Sequence, residues 1–168
     1  METQVTLRQA ILAKRRSLRR DQVEAMSLRI QERLVLLPEF VRARTIALYR
    51  PFWNEVETGR VAQVGVSEKK RIVYPEIKAG GGMSFILVSD AAIEVPMDEI
   101  DLVVVPGVVF DELGHRIGLG KGYYDRALSH YKGTKVGLAY DLQVVAAIPV
   151  NSHDVACDVI LTELRQLV

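Results

Sequence analysis

The chain has 168 residues, 49% of them apolar and 26% charged, with a net charge of +1. These figures predict a single domain over residues 1–168 with one well-filled core. They exclude a helical membrane protein, because no apolar run reaches 18 residues, and a disulfide framework or zinc cluster, because Cys157 is the only cysteine.

The first residues lack the hydrophobic core of a signal peptide, so a reducing, cytoplasmic setting is expected, with Cys157 as a packed thiol. The charge is unevenly spread: residues 1–44 hold ten Lys/Arg against five Asp/Glu. Such a basic segment can draw in a polyanion, and it can equally be a solvated helix face. It carries no interleaved aromatics on which bases would stack, so no nucleic-acid partner is expected, and no membrane partner either.

Leu7, Ile11 and Leu18 share one helical face, and Met26, Ile30, Leu34 and Leu37 continue at helical spacing. This predicts two helical pieces, an N-terminal helical hairpin, broken near Ser17–Asp21 and ending before Pro38. Thr45–Tyr49 reads as a short strand bounded by Pro51, and residues 57–69 as a helix opened by the acids Glu55 and Glu57. Arg71–Tyr74 reads as a strand stopped by Pro75. Gly80–Gly82 marks a turn, Met83–Val88 a third strand, and the unbroken apolar run Leu102–Val105 a strand buried on both faces. After it come a glycine-rich loop, a helix over 122–131, a strand at Lys135–Ala139 and a last one at Asp158–Thr162. Strands alternating with helices predict a three-layer α/β/α sandwich with a largely parallel, Rossmann-like sheet. Ligands of such sheets bind beyond the carboxyl ends of the strands, where the segment 50–55 and the glycine loop both lie.

Pro106 to Arg126 reads PGVVFDELGHRIGLGKGYYDR. Glycines at 118, 120 and 122 let the backbone approach a ligand and adopt positive φ. Amides of such a loop at a helix start can accept phosphate, with Lys121 and Arg116 adding positive charge and Asp125 available to Mg²⁺. Neither common phosphate fingerprint fits. A Walker loop would require glycine at 115, which is histidine, and the dinucleotide pattern would require glycine at 123, which is tyrosine. Spacing alone leaves a tight structural turn and a ligand loop equally open.

The full string resembles the signature of the 5-formyltetrahydrofolate cyclo-ligase family, also called methenyltetrahydrofolate synthetases. Its three parts stand in order: Pro-Gly-x-x-Phe-Asp from Pro106, Gly-x-Arg-hydrophobic-Gly from Gly114, and Gly-x-Gly-Tyr-Tyr-Asp ending at Asp125. The resemblance implies an enzyme that closes 5-formyltetrahydrofolate to 5,10-methenyltetrahydrofolate, with ATP as co-substrate and Mg²⁺. The formyl oxygen would be phosphorylated, because it leaves far more readily as phosphate than as hydroxide. The chemistry is mostly positioning and charge neutralisation. No Ser-His-Asp set is needed, and His115, His130 and His153 show no ligand spacing.

Carried over on matching residues, the resemblance implies an ATP site of Arg8, Arg116, Gly118, Gly120, Lys121, Gly122, Tyr123 and Tyr124. Lys121, Tyr123 and Tyr124 would be catalytic, and Phe52, Glu57 and Tyr123 would bind the substrate. Asp125 and Asp158 would hold the metal. Glu57 matches a carboxylate that takes the paired N–H donors of a pterin, while Glu55 reads as an acid favoured at a helix start. Trp53 would wall the pocket or pack. Small-molecule partners only, reduced folate and ATP, and a monomer or weak dimer are expected.

Two departures stand out. Gln4 occupies the place of a lysine that usually precedes the Leu7-Arg8 pair by one turn. The stretch between Met83 and Asp101 is short, with Ile93-Glu-Val-Pro96 only loosely similar to the family's Glu-Pro segment. They motivate the alternative of a non-catalytic nucleotide- or folate-binding relative.

Overall fold

The computed structural model describes residues 3–87 and 92–168, so the expected end of the third strand at Val88 lies outside the described residues. Thr3 caps the first helix, α1 (Gln4–Arg16), its hydroxyl accepting from the Thr6 amide at 3.2 Å. α2 (Arg20–Leu36) follows, and Pro38 then opens a further short helix, α3 (Pro38–Arg42), as proline at a first helical position does. The two N-terminal helices form an open hairpin whose members pack on different sheets. The apolar face of α2 joins the core of a large sheet, whereas Leu7 and Ile11 of α1 sit on a small one.

The large sheet is eight-stranded. Its parallel heart is β1 (Thr45–Ala47), β2 (Arg71–Ile77), β5 (Leu102–Val105), β8 (Thr134–Leu138) and β10 (Val159–Leu161). Antiparallel β3 (Met83–Leu87) and β4 (Ile93–Val95) extend it beyond β2, and β11 (Gln166–Leu167) extends it beyond β10. Pro75 does not stop β2. The ladder to β1 ends at Val73, so Pro75 lies where β2 is paired on one side only, and its missing N–H breaks no inner ladder.

Residues alternate between the faces. Ile46, Leu48, Leu102, Val104 and Val136 meet α2, α3 and the helix α4 (Gly59–Ser67), while Ala47, Val103, Val105 and Ile160 meet Phe110 and the helix α5 (Tyr123–Leu128). That gives the three layers. The order among parallel strands puts β1 between β2 and β5, so the chain reverses direction across the sheet there, and a crevice opens beyond the carboxyl ends of β1 and β5.

A second, three-stranded sheet was not expected from the sequence. In it β6 (Val109–Asp111) is flanked by β7 (Arg116–Ile117) and β9 (Val144–Val145), with α1 packed on it. These strands are two or three residues long, too short for any hydrophobic period to register. No described helix is long and apolar enough to cross a membrane.

Phe110 joins the two sheets and is fully buried. A Cβ at Gly107 would stand 2.5 Å from its ring, and one at Gly137 2.7 Å, so glycine at both places makes room for the aromatic side chain. Asp111, also buried, accepts from the amides of Leu113, His115 and Ile148 and fixes the turn below. Gly107, Phe110 and Asp111 are therefore framework residues of the signature string. Replacing Phe110 with Ala is expected to cost about 3–5 kcal/mol of stability, read as a lowered urea midpoint with an unchanged slope.

Candidate active site

A cleft of about 1280 Å³ occupies the crevice. One wall is the turn after β1, another is the glycine loop after β7, and the base is the segment Pro106–Val108. The turn is held in an unusual shape. Trp53 and Asn54 both have positive φ, 49° and 58°, which two non-glycine residues in succession adopt only under external constraint. The constraint is Asn54, whose side-chain Nδ2 donates to the carbonyls of Arg15 and Leu18 at 3.2 and 3.0 Å, pinning the turn to the end of α1.

The glycine loop has left-handed φ at Gly120 (91°) and Gly122 (63°). Among the described residues, no oxygen of the protein accepts from the amides of 118–122. Donors left unmade beside a cleft suit an anion that supplies several oxygens. The helix dipole contributes little, because α5 has only six residues, so the loop itself provides the site.

Arg8 projects from α1 onto this loop: its Nε donates to the Gly118 carbonyl at 2.7 Å, and its guanidinium lies against Gly120. Lys121 is exposed at the cleft edge. Gln4 also lines the cleft and donates to the Pro149 carbonyl at 2.7 Å.

Arg116 is placed differently from a free phosphate-binding cation. Its side chain is almost buried and donates to Asp125, at 3.0 Å, and to the Val155 carbonyl. It braces the Asp125 carboxylate, which also accepts from the Val155 amide at 3.1 Å. Tyr123 stacks under the Arg126 guanidinium at the cleft. Tyr124 turns inward, and its hydroxyl is buried without a partner; burial and the nearby Glu55 charge push its ionisation far above the ordinary range. Phe52 lines the cleft half-exposed, whereas Trp53 lies outside the lining under the Arg16 guanidinium.

Two expected residues are not brought to the cleft. The Glu57 carboxylate pairs with Arg20 of α2 at 2.9 Å and does not line the cavity. Glu55 does: it is 7% exposed, and its Oε2 accepts from the Phe52 amide at 3.2 Å. The positive-φ turn is what faces Glu55 inward, and it also keeps Glu55 clear of α4, which starts four residues later. Burial raises the Glu55 carboxyl above the usual range, and the nearby Arg15 guanidinium opposes that shift.

Asp158 fails for a topological reason. It precedes β10, at the amino ends of the parallel strands, and binds the Lys135 amide at 2.7 Å and its ammonium at 2.9 Å. Asp154 and Asp125 both line the cleft. The amide of Val155, next to Asp154 in the chain, donates to Asp125, and Oδ2 of Asp154 accepts from the Asn151 amide at 2.7 Å. Two aspartates meet the preference of a hard cation for a few carboxylates completed by phosphate oxygens and water. Among the described residues no group of three acidic or histidine side chains gathers, so a ligand's oxygens would be needed to complete any metal site.

Asp154, Glu55 and Arg15 stand at or beside the cleft in places that the sequence patterns do not assign them. Asp154 lay in plain view within the VNSHD segment. Glu55 was hidden because backbone strain at 53–54 has no sequence signature without glycine. Arg15 carries a readable signal: it falls four residues after Ile11 on the apolar stripe of α1, where a hydrophobic residue belongs.

Fold and cleft define an α/β protein with a large, mostly parallel sheet and a glycine-rich loop at a crevice beyond its strand ends. The chain matches the profile of the 5-formyltetrahydrofolate cyclo-ligase family over residues 1–163, and it belongs to that family. It is 29% identical over 174 residues to the 5-formyltetrahydrofolate cyclo-ligase of Escherichia coli strain K12, covering 90% of this chain and 96% of that one. The solved 5,10-methenyltetrahydrofolate synthetase of Mycoplasma pneumoniae superposes with a TM-score of 0.89 at 30% identity, covering 96% of this chain and 99% of the other. That of Aquifex aeolicus gives 0.83 at 31% identity, with 98% and 91% covered.

The different placements of the two glutamates separate them experimentally. Glu57→Gln is expected to leave the folate KM within about twofold and to cost at most about 1 kcal/mol, as loss of an exposed ion pair does. Glu55→Gln is expected to raise the folate KM at least about tenfold while the ATP KM holds, since a buried charged acceptor contributes about 1.5–3 kcal/mol. A larger effect at Glu57 in steady-state kinetics would reverse this assignment.

Proposed function

We propose that this protein catalyses the ATP- and Mg²⁺-dependent cyclisation of 5-formyltetrahydrofolate to 5,10-methenyltetrahydrofolate, releasing ADP and phosphate. The observation that carries the reading is the cleft at the switch point, with unpaired loop amides on one side and a buried carboxylate on the other. Family membership supplies the substrate class.

In this reading the triphosphate lies along the amides of 118–122, with Arg8 and Lys121 neutralising its oxygens. Asp125 and Asp154 would hold the magnesium ion, which neutralises phosphate charge when bound. The folate ring lies toward Phe52 and Glu55, whose carboxylate accepts the paired N–H donors of the pterin edge. The formyl oxygen then attacks the terminal phosphorus and ADP departs. The second folate nitrogen adds to the activated formyl carbon and loses its proton. The C–O bond breaks, and phosphate leaves with both electrons. The cleft's main contributions are alignment and water exclusion, which such a transfer requires above covalent help. Tyr123, at the cleft, and the inward Tyr124 flank the reacting group. Supply by small molecules alone fits a cleft of this size, and a cytoplasmic setting fits the single thiol: Cys157 is buried, and burial pushes it up to about 11, leaving it protonated at neutral pH.

Mixing the protein with ATP, Mg²⁺ and 5-formyltetrahydrofolate should generate the absorbance of the methenyl product. Nucleotide binding by calorimetry with no product at high enzyme concentration would instead identify a non-catalytic relative. Lys121→Ala should lower kcat on the order of a hundredfold with unchanged thermal stability. Asp125→Asn should move the magnesium titration to higher concentration, and an unshifted titration would remove Asp125 from the metal site.

A further inference from the structure

Arg15 is among the most buried side chains in the protein, 1% exposed, although it is charged and lies on a helix. Such a group normally occurs with every nitrogen bonded. Among the described residues only Nη1 is engaged, donating to the Gly107 carbonyl at 3.2 Å, while Nε and Nη2 find no hydrogen-bond partner there. Nη2 stands 3.9 Å from Oε1 of Glu55, close enough to act as its counter-charge and too far to hydrogen-bond to it. The other carboxylate oxygen is fixed by the Phe52 amide. Oε1 is thus left with charge stabilisation and free acceptor capacity. The turn that carries Glu55 is itself anchored on the carbonyl of Arg15 through Asn54.

We infer that Arg15 is a positioning residue for the reaction: it keeps the Glu55 carboxylate charged and aimed into the cleft without saturating it, so that the folate ring can bind its free oxygen. The inference rests on the proposed cyclo-ligase function. A fully hydrogen-bonded Arg–Glu pair would hold the carboxylate equally well and leave nothing for the ligand to bind. Without the cation, burial alone would push the carboxyl further toward its neutral form. Besides Arg15 from α1, the groups facing Glu55 are Tyr49 at the end of β1 and Tyr124 of α5. Tyr140 and Arg16 lie near Arg15. Both tyrosines near Glu55 are driven by burial to remain neutral at physiological pH, so Arg15 is the cation that opposes protonation of Glu55. Removing it adds to the rise that burial causes, and the ionised form is then lost as pH falls through the raised value.

The inference is tested by calorimetric titration of 5-formyltetrahydrofolate between about pH 6 and pH 9, using wild type, Arg15→Met, Arg15→Lys, Glu55→Gln and the Arg15→Met/Glu55→Gln pair. Wild-type affinity should stay within about twofold over this range, and Arg15→Lys, which keeps the charge, should follow it. Arg15→Met should lose affinity as pH falls, approaching tenfold per pH unit. The double variant should bind no more weakly than Glu55→Gln alone, because both changes act through one carboxylate. A pH-independent loss in Arg15→Met, or additive losses in the double variant, would make Arg15 merely structural and overturn the inference. If Arg15→Met does not fold, the wild-type and Arg15→Lys profiles decide: affinity already falling toward pH 6 in wild type contradicts the inference. Absence of any folate binding by wild type would instead overturn the proposed function itself. Normal binding by Glu55→Gln would remove only Glu55 and Arg15 from it.

Discussion

The reversal of strand order between β1 and β5 is the constraint from which the rest follows. Where neighbouring parallel strands send their chains to opposite faces, the loops beyond their carboxyl ends cannot close over one another, and a crevice remains. The positive-φ turn at 53–54 comes from one side of it and the glycine loop from the other. The small sheet under α1 sets the second wall at the right height and brings Arg8 over the loop. One wall therefore carries a buried carboxylate, and the other carries amides with cations.

The site divides its charges by burial. On the glycine-loop side, Lys121 is exposed and the amides of 118–122 meet no acceptor among the described residues, which in the proposed function suits a nucleotide that arrives with its own charge. On the side of the turn after β1, Glu55 is buried, and Arg15 stands back at 3.9 Å. A buried pair that loose is a poor stabilising device, since desolvation is large and the hydrogen bonds that normally offset it are missing. In the proposed function a ligand completes it. Arg116 shows the opposite arrangement: it is tightly bonded to Asp125 and Val155.

Much of this was legible in the sequence, and the failures share a cause. The unbroken run Leu102–Val105, the apolar stripes of α1 and α2, and the Gly-x-Gly-x-Gly loop gave the layers and the location of the cleft, because each is a local pattern. Residue roles within the signature string were less visible. Phe110 and Asp111 of the signature string are framework, and Gly107, at the base of the cleft, is glycine because an aromatic ring three residues later demands it. Glu57 and Asp158 lie away from the cleft for complementary reasons. Glu57 follows the positive-φ pair Trp53 and Asn54 and pairs with Arg20, and the position of β10 puts Asp158 at the amino edge of the sheet. Facing direction and strand end are tertiary facts, and no spacing encodes them. The short strands β6, β7 and β9 escaped because two or three residues cannot display a period.

The central claim is that one cleft holds a triphosphate on the amides of residues 118–122 and a reduced folate against Glu55, with the formyl oxygen facing the terminal phosphate. A crystal structure with a non-hydrolysable ATP analogue and 5-formyltetrahydrofolate addresses it most directly. The account predicts phosphate oxygens within hydrogen-bond distance of those amides and the pterin edge on the free oxygen of Glu55. A nucleotide bound elsewhere, or a pterin turned away from Glu55, would contradict it.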